Sequence, residues 1–284
     1  MKNISLGQYY PSNSYLHKAD PRIKLIMTMF FIIASFLCKN ILGFVGLLLF
    51  TFLLLLVSKL PFKMIMRSVR PIIIIITFTT LINVFWTKGE NLLFSFSFIS
   101  IYEEGLYNAF FMLVRIITLV IGASVLVTYT TTPIALTDAI ESLFSPLKKI
   151  KVPVHDFAMM MTIALRFIPT LVEETEKIMN AQKSRGADFS TGGLIKRAKA
   201  LIPILIPLFV SSFKRAEELA TAMECRCYRG DKNRTKYVEL KFKPIDVSWF
   251  FFGLVFFAAL LLLRIFYSKL LFEGVIFDIM LYKI

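Results

Sequence analysis

The stretch Ile41–Val57, ILGFVGLLLFTFLLLLV, holds no ionisable side chain over its whole length. A helix of that composition is apolar on every face and has no side to show to water, so it needs hydrocarbon around it. Its neighbours repeat the pattern. Upstream lies Ile23–Cys38, separated from it only by the turn residues Lys39-Asn40. Downstream come Ile72–Phe85, Leu106–Tyr129 and Val247–Leu263. Each is read as a membrane span, which predicts an all-α polytopic membrane protein with about five crossings. The first run is short for a full crossing, so it starts in the interface or tilts little. Composition agrees. Of 284 residues 57% are hydrophobic, against about 45–50% in a soluble domain.

The formal charge is +14, from 33 Lys and Arg against 19 Asp and Glu. On a soluble chain that excess would suggest nucleic acid. Here the basic residues flank the apolar runs, as the positive-inside rule requires, and nucleic-acid binding is set aside. The segments before the first run, between the second and third, and after the fourth carry Lys and Arg. The loop after the third, with Lys88, Glu90, Glu103 and Glu104, is not basic. All basic segments then fall on one side, which predicts a multi-pass plasma-membrane protein with a cytoplasmic N-terminus. The polar lead of about 20 residues and the lack of a small-x-small cleavage site make the first run a retained anchor.

These runs organise the chain into residues 1–22, a cytoplasmic N-terminal segment; 23–130, a four-span region; 131–246, a cytoplasmic domain; and 247–284, a last span with a tail. Asp20-Pro21 reads as an N-cap with proline at the first helical position. Between Ser58 and Arg70, Phe62, Ile65, Met66 and Val69 alternate at helical spacing with Lys63, Arg67 and Arg70. That spacing predicts a separate amphipathic helix lying in the interface. Trp86 closes the third span, where an indole sits at the headgroup level.

Residues 131–246 read as long amphipathic helices. Thr132-Pro133 starts a short one that stops before Pro146. A second runs from about His155 to Lys183, roughly 40 Å at 1.5 Å per residue. Its apolar face includes Met160, Phe167, Ile168 and Leu171, and Glu173, Glu174 and Glu176 load the other face. Gly186 and Gly192-Gly193 turn the chain into a third, from about Leu194 to Tyr228. Its middle, Leu201–Val210, is apolar all round but only ten residues long and carries Pro203 and Pro207. Leu201, Leu205, Leu208 and Phe209 are therefore either buried against membrane helices or offered to a hydrophobic partner.

Signs of chemistry are few. No Gly-x-x-x-x-Gly-Lys-Ser/Thr phosphate loop and no His-Glu-x-x-His occurs, which excludes the familiar routes to nucleotide hydrolysis and zinc proteolysis. Glu173-Glu174 resembles the paired glutamates of some intramembrane proteases, but those need further histidines, and this chain has only His17 and His155. Cys225 and Cys227, one residue apart with no histidine near, do not make a metal site. No cofactor is expected. Arg115, the one clear charge well inside a span, is expected to pair with Glu103 or Glu104, with snorkelling and a functional role as alternatives. Two arginines stand at helix tips between small residues: Ser184-Arg185-Gly186 and Cys225-Arg226-Cys227. One such arginine would only answer its own helix dipole. Two, after two similar helices, read as docking sites for partner carboxylates or carbonyl rims.

With these residues in view, the chain resembles the transmembrane T component of energy-coupling factor transporters, the EcfT/CbiQ family, over nearly its whole length. The matching stretches are Tyr15–Lys24, with Asp20, Pro21 and Arg22; Thr130–Pro133 with Ser145–Lys149; and Ala164–Thr170, with Arg166 and Pro169. In that family the tips read Ala-Arg-Gly or Ala-Arg-Ser; here Cys225-Arg226-Cys227 departs more than Ser184-Arg185-Gly186. The resemblance implies a non-catalytic subunit of a vitamin importer. Two ABC-type ATPases would bind the ATP and receive Arg185 and Arg226. A membrane-embedded substrate-binding S component would rest on the apolar coupling surface. The rival readings are a polytopic enzyme acting on lipid and a standalone secondary carrier.

Overall fold

The computed structural model describes residues 9–38, 40–87, 92–96, 99–189, 193–230 and 242–272. Lys39, Lys88, Glu90, Gly192 and most of the apolar tail therefore lie outside the described residues. Packing divides the chain into one compact unit of residues 7–139 and 240–284 and another built on residues 140–239.

The first unit is a helical bundle. After the single turn α1 (Tyr15–Lys18) come α2 (Pro21–Leu37), α3 (Ile41–Ser58) and α4 (Phe62–Trp86), then a short hairpin of β1 (Leu92–Phe96) and β2 (Ile99–Tyr102). Next follow α5 (Glu103–Ala123), a π-helical turn at Ser124–Thr128, and α6 (Pro133–Phe144), which crosses the division between the units. The last helix of the first unit is α9 (Pro244–Phe272). Among the described residues four helices are long and apolar enough to cross a membrane: Ile41–Ser58, Phe62–Trp86, Glu103–Thr128 and Asp246–Phe266. The first expected span, α2, has 17 residues, about 26 Å against a hydrocarbon core of about 30 Å.

The all-helical reading holds with one small exception, the antiparallel hairpin, which pairs Leu92 with Tyr102 and Phe96 with Ile99. A second difference concerns Phe62–Arg70. These residues are the first turns of α4, continuous with the third span through Pro71, rather than a separate helix in the interface. Proline removes one backbone donor and can kink a helix without ending it. The change from mixed to apolar composition thus occurs along one helix.

Close approach to α2 builds the core. Met27, Phe31 and Ala34 meet Leu47, Phe50 and Leu54 of α3, Val125 and Leu126 of the π-turn, and Leu260 of α9. Two glycines make the approach possible. A Cβ at Gly122 would stand 2.3 Å from the Phe31 ring, and one at Gly253 1.9 Å from Met27 Cε. Small residues of this kind let helices in lipid gain van der Waals contact, their main source of cohesion there. Phe50 stacks on Phe256 with ring centroids 4.2 Å apart.

Arg115 does not pair with Glu103 or Glu104. Its Nη2 donates to the Cys38 carbonyl at 3.0 Å, just past the end of α2, and its guanidinium lies over the Phe44 ring at 5.2 Å. The geometry explains why. Glu104 and Arg115 share α5, eleven residues and about 16 Å apart along the axis. An open carbonyl at a helix C-terminus is the better acceptor within reach.

The N-terminal motif folds as its sequence asks. Asp20 caps α2, its carboxylate accepting the Arg22 N–H at 2.8 Å, with Pro21 at the first helical position. Just upstream, His17 Nε2 donates to the Tyr10 carbonyl at 2.8 Å, and the Ser14 hydroxyl donates to Nδ1 at 2.6 Å, which fits the neutral ring. Burial, above all, holds the His17 pKa below the ordinary imidazole value, although the Tyr10 bond opposes it. The folded state therefore takes up this proton less readily than the unfolded chain. Its contribution to stability is complete above about pH 6.5 and is lost as pH falls below that value. Thermal unfolding followed from about pH 8 to pH 5 is expected to show this loss, and His17→Gln to reduce it.

Candidate docking surfaces

The second unit is dominated by two long helices, α7 (Val154–Ser184) and α8 (Leu194–Cys225), of 31 and 32 residues. Each spans nearly 50 Å at the standard rise. They contact one another, and the contact is pinned by polar groups. Arg215 Nη2 donates to Glu174 Oε2 at 2.6 Å, and the Ser211 hydroxyl donates to the other oxygen of the same carboxylate. Glu174, singled out above as half of an acidic pair, is thus a structural acceptor between helices. Beside it lies an apolar cavity of about 250 Å³, lined by Phe167, Leu171, Ala216, Leu219 and Met223.

The two arginine tips are built alike, and more closely than their sequences suggest. At the end of α7, Arg185 is the C-cap. Gly186 N–H donates to the Lys183 carbonyl at 2.9 Å, and Ala187 N–H to the Gln182 carbonyl at 3.0 Å. At the end of α8, Arg226 is the C-cap. Cys227 N–H donates to the Glu224 carbonyl at 2.8 Å, and Tyr228 N–H to the Met223 carbonyl at 3.0 Å. Both are the paired-bond Schellman closure, with a left-handed residue just past the cap. Gly186 has φ +86° and Cys227 has φ +56°. An L-residue in that conformation costs about 1–2 kcal/mol. Cys227 therefore occupies the position where the first tip has glycine and keeps its backbone shape.

Both arginines are exposed, and neither has a carboxylate partner among the described residues. Ser184 bonds back to the Asn180 carbonyl at 3.1 Å, and the Cys225 and Cys227 thiols are free and exposed. Arg185 and Arg226 thus project from capped helix ends with their guanidinium donors unclaimed by any carboxylate among the described residues. Such groups suit an acidic or carbonyl-lined groove on another protein.

The apolar middle of α8 is mostly uncovered. Leu201, Leu205 and Phe209 are exposed, at 48%, 46% and 61% of their full area, while Leu208 is half-buried and Ile204 is buried. Pro203 and Pro207 lie inside the helix without ending it. On α7, Pro169 lies within the helix and Arg166 is exposed.

A separate polar cluster, in the first unit, ties the family-motif residues to distant elements. Lys24, 3% exposed, donates from Nζ to the Thr130 carbonyl at 2.9 Å and the Thr131 hydroxyl at 3.3 Å. Asp246, 1% exposed, accepts the Asp20 N–H at 2.6 Å and the Lys243 N–H at 2.7 Å. Arg22 lies over the Phe242 ring. Sequence reading singled out Asp20, Pro21 and Arg22 but neither Lys24 as a hub nor Asp246. A charged residue in the first turn of an apolar helix was the available signal for both. Among the described residues no group of three or more His, Cys, Asp or Glu could hold a metal ion.

The family described as cobalt transport protein, CbiQ, matches residues 12–237. The chain is similar to several proteins named energy-coupling factor transporter transmembrane protein EcfT. That of Ruminiclostridium cellulolyticum is 55% identical over 247 residues, covering 87% of this chain and 92% of the relative. That of Clostridium kluyveri is 48% identical over 270 residues, covering 95% and 100%. That of Bacillus subtilis is 45% identical over 264 residues, covering 93% and 99%.

Proposed function

The chain belongs to the CbiQ/EcfT family of transmembrane transport proteins, and from that premise we propose that it couples two cytoplasmic ABC-type ATPases to a separate substrate-binding membrane protein. It is a membrane-embedded transport subunit. In the proposed mechanism the N-terminus and the α7–α8 unit face the cytoplasm. Arg185 and Arg226 each seat in a groove of one ATPase. When ATP draws the ATPases together, the two tips move with them, and α7 and α8 shift as levers. The substrate-binding S component rests on the apolar face of α8 around Leu201, Leu205 and Phe209, and the shift tips it to release a vitamin or related micronutrient. ATP is bound by the partners, and this chain performs no chemistry.

One observation carries the reading: two exposed arginines, without a carboxylate partner among the described residues, held in the same Schellman closure at the ends of two contacting helices. A helix dipole explains one arginine near a C-terminus, for a few tenths of a kcal/mol. It does not explain why the second tip holds a strained cysteine in the conformation that glycine supplies at the first. Mild-detergent purification of the chain from its native membrane, with identification of what accompanies it, tests the proposal. ATPases and a small apolar membrane protein are expected. Uptake by the chain alone in liposomes would overturn it.

The apolar face has its own test. Leu205→Asp puts a charge on an exposed position, so the fold should be kept within about 0.5 kcal/mol. At a hydrophobic interface the same charge is uncompensated and desolvated. The variant is expected to lose the S component and keep the ATPases; retention of both would remove this face from the interface.

A further inference from the structure

The coupling role leaves one charged feature of the bundle unused. Lys63, Arg67 and Arg70 recur at spacings of four and three along α4, which places them on one face of the helix. All three are exposed, and none has a carboxylate partner among the described residues. Because α4 runs unbroken from Phe62 to Trp86, this face continues at the same spacing through Ile74, Phe78, Leu81 and Phe85. These are 78%, 63%, 50% and 50% exposed. The opposite face, with Ile65, Val69 and Ile76, is buried. One side of α4 therefore packs against the protein, and the other is a stripe whose first part is cationic and whose second part is apolar.

We propose that this stripe is a binding site for an anionic phospholipid, its phosphate held by Lys63, Arg67 and Arg70 and its acyl chains lying along Ile74, Phe78, Leu81 and Phe85. Dimensions favour a lipid over an acidic protein surface. Ile74 to Phe85 spans about 17 Å along the axis, close to the roughly 15 Å of one hydrocarbon leaflet. Arg70 and Arg67 precede the first residue of the apolar run, Ile72, by about 3 and 7.5 Å, the depth of the headgroup layer. Lys63 lies farther out, within a Debye length of the surface. A carboxylate on a soluble partner would meet the basic part and leave the apolar part uncovered; a phospholipid matches both. Arginine suits the head because its planar fork takes two phosphate oxygens at once.

The experiment measures retention of dioleoyl phosphatidylglycerol against dioleoyl phosphatidylcholine on the full chain, by native mass spectrometry from mixed micelles. Three basic residues near an anionic surface together give the phosphatidylglycerol at least about a tenfold preference at low salt. The preference should shrink as salt rises. Lys63→Gln, Arg67→Gln and Arg70→Gln together are expected to bring the two lipids within about twofold of each other, with helicity and elution unchanged. Lys148→Gln, Lys149→Gln and Lys151→Gln, the same change in charge elsewhere, should leave the preference intact. Arg67→Gln alone should show a partial loss. Equal retention of both lipids by the parent chain, an undiminished preference in the stripe variant, or equal losses in both triple variants would overturn the site.

Discussion

A chain carrying Arg185→Glu and Arg226→Glu together is expected to reach the membrane at normal levels and to purify without ATPases. Both side chains are exposed and unpaired among the described residues, so the fold loses little. The main intramolecular cost is an acid at a helix C-terminus, about 0.3–1 kcal/mol at each tip. The interface loses far more. Breaking one hydrogen-bonded charge pair in a buried interface costs about 2–5 kcal/mol, and a reversed charge adds like-sign repulsion. Two tips together therefore weaken ATPase binding by about a thousandfold or more. ATP-dependent uptake should vanish with binding, while the free ATPases keep their hydrolysis.

The single variants sharpen the test. Because both tips share one backbone closure, Arg185→Glu and Arg226→Glu should each weaken binding by a similar factor, without the second tip being dispensable. Arg226→Lys keeps the charge and loses the planar fork, so an intermediate affinity is expected if the groove reads geometry as well as charge. If the double glutamate variant copurifies with ATPases and supports uptake, the arginines do not dock.

What was legible in the sequence was what depends on near neighbours. The cap at Asp20-Pro21, the apolar runs and the end of α7 are set within a turn or two and appear where their residues place them, while α8 stops at Cys225, three residues before the expected Tyr228. The hairpin also had a local signal, since Phe94-Ser95-Phe96 and Ile99-Ser100-Ile101 alternate with the two-residue period of a strand. The acidic residues beside it, Glu90, Glu103 and Glu104, outweigh that signal and suggest a loop between two apolar helices. The mixed composition of Phe62–Arg70 points the opposite way: its basic residues suggest a separate interfacial helix, whereas α4 runs through Pro71 into the third span. Arg115 shows the limit of near-neighbour reasoning. Its partner, the Cys38 carbonyl, lies 77 residues away. At the tips, the arginines could be found by inspection. The left-handed Cys227 could not, because nothing in Cys-Arg-Cys announces positive φ.

The cluster at Lys24 belongs wholly to that long-range class, and its removal is expected to be the most damaging single change in the bundle. Lys24 joins the first turn of α2 to Thr130 and Thr131, more than a hundred residues later. The Asp20 and Asp246 carboxylates both attract its ammonium. Lys24→Met keeps most of the volume and deletes the charge. The Thr130 carbonyl then loses the Nζ donor, and two buried carboxylates remain without their cation. A buried carbonyl left without its donor costs about 1–3 kcal/mol, and the lost attraction of the ammonium for the two buried carboxylates adds to it. Together they make a large share of the roughly 5–15 kcal/mol that holds an ordinary domain together. Thermal unfolding in detergent and the amount of chain in the membrane should both fall, in contrast to the tip variants, which lose partners and keep stability. A second substitution separates charge from packing. In Lys24→Met with Asp246→Asn, one orphaned carboxylate becomes neutral while an amide oxygen remains to accept the Asp20 N–H. If charge imbalance dominates, this pair should recover part of the loss and be more stable than Lys24→Met alone. If it is less stable, the ammonium acts chiefly as a donor to the end of the π-turn. If Lys24→Met unfolds within about 1 kcal/mol of the parent, the cluster does not hold α2 and α9 together.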